Sequence, residues 1–140
     1  MVFLEINFTR EETLKLIETY YSRLEDREVK AKVTCTKGLV GFYQNDGCVT
    51  TFTVSEKIEI AGMEKDIVET ISYEDLKTKL TALFELFGYE VKSLILDAGL
   101  ETKYEGYGMY EHTVKVPYFN GIKVTVAKKK NHTLIKTENS

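Results

Sequence analysis

The strongest constraint on this chain is that it sets out one order of elements twice. Residues 12–35 and 74–97, offset by 62, match at Glu12/Glu74, Leu14/Leu76, Lys15/Lys77, Thr19/Thr81, Leu24/Leu86, Glu28/Glu90, Val29/Val91 and Lys30/Lys92. One deletion later, GLVGFYQNDG (38–47) lies against GLETKYEGYG (99–108), sharing Gly-Leu-x-x-x-Tyr-x-x-x-Gly. The following runs set Phe52 and Val54 against Val114 and Val116. Recurrence at a fixed offset implies two similar supersecondary units.

Periodicity gives the units their form. Val2, Leu4, Ile6 and Phe8 alternate and predict a strand. Thr9-x-x-Glu12 is a capping box, followed by Leu14, Ile17, Tyr21 and Leu24 at helical spacing. In the second half Ile67–Ile71 predicts a short strand. Ser72-x-x-Asp75 is a weaker box, Leu76, Leu80, Leu83, Phe84 and Phe87 form the stripe, and Gly88 suits the stop. Helices are therefore expected near 9–25 and 73–87. Each is followed by a β-run (28–36; 90–97), a Gly-Tyr segment and another run (48–60; 109–116). Asn45-Asp46-Gly47 and Phe119-Asn120-Gly121 read as hairpin turns, before a last strand containing Ile122, Val124 and Val126. The expectation is an α+β fold of duplicated βαβββ modules, with two helices packed on a mostly antiparallel curled sheet. Residues 1–128 would form one domain of two repeats, about 2–62 and 63–126, with a flexible basic tail at 129–140.

Composition narrows the function classes. Hydrophobic residues make up 43% and charged residues 29%, as in ordinary globular domains. No apolar run is long enough for a membrane helix, and the N-terminal stretch lacks the basic start of a signal peptide. Net charge is −3. The last fourteen residues carry four lysines and one glutamate, leaving −6 on the rest. Such an acidic body repels a phosphate backbone, which argues against nucleic acid. Cys35 and Cys48 form no C-x-x-C pair and read as reduced thiols, which points to the cytoplasm.

The order of elements resembles the glyoxalase / bleomycin-resistance / dioxygenase (vicinal oxygen chelate) superfamily, whose paired modules curl around a shared cleft. Tyr20-Tyr21-Ser22-Arg23-Leu24 is similar to the aromatic-Tyr-x-x-Leu end of that family's first helix. Leu86-Phe87-Gly88-Tyr89-Glu90-Val91 is similar to its Leu-Gly-aromatic entry to a strand. Val116 to Gly121 is loosely similar to the turn before its last strand, without the two acids. Other duplicated α+β folds would read alike. Metal-dependent members carry His and Glu ligands on strands that here contain no histidine. Glu5 and Glu59 are out of phase with their apolar neighbours and only Glu69 is in phase. One carboxylate does not hold a transition metal, so no metal or other cofactor is expected.

The remaining chemistry is sparse. His112 shares a phase with Tyr110, Val114 and Val116, which reads as inward-facing, and the 62-residue offset sets it against Thr50. Asp97 ends a β-run just before Gly99, where acids more often cap turns than catalyse. No nucleophile elbow, P-loop or paired acidic motif is present, so an enzyme is disfavoured. Two readings remain ahead of a metal-free enzyme. One is a binding or sequestering protein for a small molecule, with a cleft using Tyr43, Thr50, Glu69, Tyr104, Tyr110 and His112. The other is a small acidic protein–protein interaction protein, an inhibitor or adaptor, presenting an exposed tyrosine patch. Tyrosines converging on a hollow would favour the first and tyrosines on an open face the second. A homodimer is also expected, because Leu94 and Leu96 on one side of the 90–97 run and Val91 and Ile95 on the other read as two apolar faces.

Overall fold

The computed structural model describes residues 2–129. All of the expected tail except Lys129 lies outside the described residues. The elements run β1 (Phe3–Thr9), α1 (Arg10–Leu24), β2 (Lys30–Val40), β3 (Asn45–Ile60), β4 (Met63–Ile71), α2 (Tyr73–Leu86), β5 (Tyr89–Glu105), a short 3-10 turn at Gly108–Tyr110, and β6 (His112–Lys128). The fold is α+β, with two helices and two three-stranded antiparallel sheets.

Both helices start where their caps place them. The Thr9 hydroxyl accepts from the Glu12 amide at 3.1 Å, and the Thr9 amide donates to Glu12 Oε1 at 2.9 Å. Ser72 accepts from the Asp75 amide at 3.1 Å, without the reciprocal bond. Burial follows Thr13, Ile17 and Tyr21 in α1, and Leu76, Leu80, Leu83 and Phe84 in α2. The buried rows coincide at an offset of 63 (13/76, 17/80, 21/84), as do the caps Thr9/Ser72. The eight identities at offset 62 thus align residues one step out of structural register. Leu14, for example, is half-buried where Leu76 is fully buried.

The sheets correct the expected modules. Sheet one has the order β1-β6-β5 and sheet two β2-β3-β4, so there are two sheets and not one curled sheet. Each half contributes βαββ, because the 90–97 run and the Gly-Tyr segment after it form the single strand β5. Each sheet also takes one edge strand from the other half. β1 pairs with β6 from Phe3↔Ala127 to Thr9↔Gly121, and β4 pairs with β3 from Ile60↔Met63 to Phe52↔Ile71. Setting β1, β5 and β6 against β4, β2 and β3 gives the two sheets one order.

Two expected turns lie elsewhere. Phe119-Asn120-Gly121 is inside β6, at a register shift opposite Asp97/Ala98 that leaves Asn120 unpaired: a β-bulge, with Gly121 at φ 139°. The β2–β3 turn falls at residues 41–44, using Gly41 (φ 78°) and Gln44 (φ 55°), and Asn45-Asp46-Gly47 already belongs to β3. A further tight turn, Ala61-Gly62, joins β3 to β4 with both residues at positive φ, as a two-residue hairpin loop requires.

One apolar cluster lies between the helices and the sheets. Phe8 packs on Phe84 with ring centroids 5.7 Å apart, linking β1 to α2. Phe52 and Phe119 meet edge-on at 5.4 Å and join the two sheets. The phase of β5 differs from the expectation for a local reason. A register shift between Val91 and Ser93 moves Val91 to the side of Leu94 and Leu96. Leu94 is buried and Leu96 half-buried, which leaves Ile95 as the exposed apolar residue of that run. Val91 and Ile95 therefore do not form a second apolar face on this run.

Candidate functional site

β2–β3 and β5–β6 are both longer than the core they cover. Full burial in β2 ends at Val33, with Cys35 and Gly38 half-buried beyond it, and half-burial in β5 ends at Leu100. Beyond these points each hairpin continues as an arm. The first keeps its register from Lys37↔Cys48 to Val40↔Asn45. The second runs from Leu100↔Pro117 to Glu105↔His112, then crosses through Gly106, Tyr107 and the Gly108–Tyr110 turn. Gly106 (φ 95°) is essential to that crossing, since a Cβ there would lie 2.3 Å from the Tyr110 carbonyl oxygen. The arms leave the core side by side, where Cys48 Sγ lies 3.4 Å from the Tyr118 carbonyl oxygen.

The arms carry the most exposed large apolar side chains of the described residues. Phe42 is 92% exposed, Tyr107 90% and Met109 89%. Leu39, Tyr43, Tyr104 and Tyr110 are also exposed, and the Phe42 and Tyr43 rings meet edge-on at 5.3 Å. Such side chains remain in water only at a cost, because each would gain roughly 1.5–3 kcal/mol on full burial. Single exposed residues need no explanation, but a concentration on two adjacent projections does.

The six residues singled out from sequence separate into three places. Tyr104, Tyr110 and His112 share the outer part of the second arm, and Tyr43 lies at the end of the first. His112 is not inward-facing, because β6 has no core beneath it at that point. Its Nδ1 lies 3.3 Å from the Tyr110 carbonyl oxygen, and its Nε2 lies 3.7 Å from an exposed Glu105 oxygen. Thr50 is half-buried at the root of the first arm, paired with Cys35 and 3.5 Å from Cys48 Sγ. Glu69 is far along β4, where one oxygen lies 3.5 Å from Arg27 Nη2. Sequence reasoning missed Phe42, Tyr107 and Met109, although GFYQ and GYGM place each next to a glycine at the centre of a turn.

A second concentration of polar chemistry surrounds Arg27. Its guanidinium reaches Glu56 at 2.7 Å, Glu25 at 3.2 Å and Glu69 at 3.5 Å. Hydrogen bonding to Glu56 is the main influence holding it more firmly protonated than an ordinary arginine. Lys79 lies 3.6 Å from Glu25 and 5.0 Å from the Tyr20 ring centroid. Burial, then a hydrogen bond to Glu25, pushes the Tyr20 phenol up. This network ties the end of α1 to α2, β3 and β4, and each of its charged groups has an opposite charge within 4 Å. Among the described residues no group of three His, Cys, Asp or Glu side chains could hold a metal ion, and no helix is long and apolar enough to cross a membrane.

No family model matches the chain, and no curated protein or solved structure matches it either. The resemblance to the chelate superfamily is therefore neither supported nor opposed by known relatives.

Proposed function

We propose that this is a protein–protein interaction protein whose binding surface is the pair of aromatic hairpin arms. The observation that carries the reading is the exposure of Phe42, Tyr107 and Met109 at the ends of two arms that leave the core together. Aromatic residues and Met are the types enriched at the centre of protein interfaces, where burial against a partner supplies most of the binding energy. The arms also offer long stretches of backbone beyond the core, which an extended partner segment could extend as a sheet. Tyr43, Tyr104 and Tyr110 lie on open projections rather than converging on a hollow, which favours a partner over a small molecule held by those residues.

The test is site-specific photo-crosslinking in the cell that makes the protein, with a benzophenone amino acid placed at Phe42, at Tyr107 and at the control position Glu11 on exposed α1. A discrete crosslinked species from both arms, absent from the control, supports the proposal. Its mass also tells a second copy of the chain from another protein. Equal labelling at all three positions, or none at the arms, overturns it.

A further inference from the structure

The bulge in β6 creates a feature that the arms do not use. On the outer face of sheet one, the row Thr9–Gly121–Asp97 crosses three strands in register, and the row Asn7–Lys123–Ile95 lies beside it. The middle residue of the first row has no side chain. Gly121 is also irreplaceable there, since a Cβ would come within 1.8 Å of the Phe8 carbonyl oxygen. Gly121 itself is buried, and the extra residue Asn120 stands exposed beside it. Next to this bulge lies an open depression of about 500 Å³, lined by Asn7, Thr9, Ile95, Asp97, Asn120 and Lys123 with neighbouring residues of the three strands.

Lys123 is engaged with Glu5 at 3.4 Å. The side chains of Asn7, Asp97 and Asn120, in contrast, make no hydrogen bond or ion pair among the described residues. Three unengaged side chains contributed by three different strands thus line one depression. One is a carboxylate and two are amides whose oxygens can accept. A primary ammonium carries three donors on a compact head, and Ile95, 57% exposed at the edge, offers an apolar wall for an alkyl stem. With Lys123 matched by Glu5, the Asp97 charge is left over, which favours a cation.

We propose that this depression binds a primary ammonium group on a short alkyl stem, through Asp97 with Asn7 and Asn120. Bulges recur next to functional sites because they re-aim side chains and interrupt pairing, and here the bulge residue Asn120 is one of the lining residues. So small a ligand on an open surface binds weakly, with Kd on the order of 1 mM. The shared chemistry is the ammonium, which either a free amine or the lysine side chain of a protein could present.

The test is a two-dimensional 1H–15N titration of the full chain with propylammonium chloride, against tetramethylammonium chloride and sodium chloride at equal ionic strength. Saturable shifts at the amides of Asp97, Asn120 and Gly121 are expected with propylammonium alone, because the other two cations have no N–H to donate. Asp97→Asn should weaken the binding about tenfold, and Asn7→Ala about threefold. Both positions are exposed, so the two variants guard against a failure of either to fold. Nα-acetyl-lysine N-methylamide separates the sources: tighter binding than propylammonium identifies a lysine side chain, and equal or weaker binding a free amine. Identical shifts with tetramethylammonium or sodium, or an Asp97→Asn titration like that of the parent, overturn the proposal. Neither substitution touches the arms, so the crosslinking result stands or falls separately.

Discussion

The guanidinium of Arg27 stands 5.0 Å over the ring of Tyr21, and the Tyr21 hydroxyl beneath it is buried without a hydrogen-bond partner. Tyr21 has no solvent exposure. The ring is thus held by packing and by the cation above it, while its polar atom remains unsatisfied. A buried hydroxyl in that state costs roughly 1–3 kcal/mol of desolvation.

Replacing Tyr21 by Phe should therefore be neutral or stabilising by up to about 1 kcal/mol, whereas Tyr21→Ala should cost about 3–5 kcal/mol through the cavity it leaves. Alkaline pH separates the parent from Tyr21→Phe. Burial, then the Glu69 and Glu25 carboxylates, pushes the Tyr21 phenol up from 10.0 to about 12. The folded chain holds that proton more tightly than the unfolded chain, so this contribution is complete below pH 10 and is lost as pH rises through 12. The loss is on the order of 2 kcal/mol. Urea melts between pH 9 and 12 should show a shallower decline for Tyr21→Phe, and parallel curves would refute the assignment.

The two sides of β5 give a second test. Leu94 is 4% exposed and its neighbour Ile95 57%, so a charge at one position enters the core and at the other enters water. Leu94→Glu should cost more than about 4 kcal/mol and can leave the chain unfolded, while Ile95→Glu should stay within about 0.5 kcal/mol. Similar losses for both would mean that Ile95 is also covered and that β5 has a second packed face. If light scattering finds a dimer, Leu94 is not the residue that holds it.

The exchange of edge strands gives a third. A chain cut at Ala61-Gly62 separates β1 from β6 and β4 from β3, so each fragment loses the partner of an edge strand and the cover supplied by the other helix. Neither fragment should show a cooperative thermal transition by circular dichroism, and an equimolar mixture should recover one. A fragment that melts cooperatively alone would show that its half needs no strand from the other.

The helices were legible because their signals are local. Thr9 with Glu12, Ser72 with Asp75 and the apolar stripes all act within four residues, and the helix bounds came out within a residue. Strand pairing is not local. Nothing in the text of β1 says that its partner is β6, more than a hundred residues away. The bulge at Asn120-Gly121 used the same residues as a turn, and only its partner Asp97 tells the two apart. Alternation holds at Val114 and Val116, half-buried beside exposed Thr113 and Lys115, but not at exposed His112 or at Tyr110, which lies in the 3-10 turn. What alternation cannot tell is whether anything covers the face, and on the arms nothing does. The offset of 62 maximised identities, whereas burial follows 63, because the cap and the core face fix the rotation of a helix and surface identities do not.

Gly121 provides the sharpest single substitution. Its φ of 139° suits glycine, and a Cβ would fall 1.8 Å from the Phe8 oxygen and 2.8 Å from the Thr9 carbonyl carbon. These atoms are backbone in the paired strand, so relief requires separating β1 from β6. That separation would disturb Thr9, whose hydroxyl caps α1. Gly121→Ala should accordingly cost more than about 3 kcal/mol, by strain of the backbone and loss of the cap together. Gly41 serves as the control: its φ is 78°, and a Cβ there meets nothing within 4 Å. Gly41→Ala should cost only the left-handed conformation, about 1 kcal/mol. Chemical denaturation of both variants measures the difference, and equal losses would mean that the bulge is free to open.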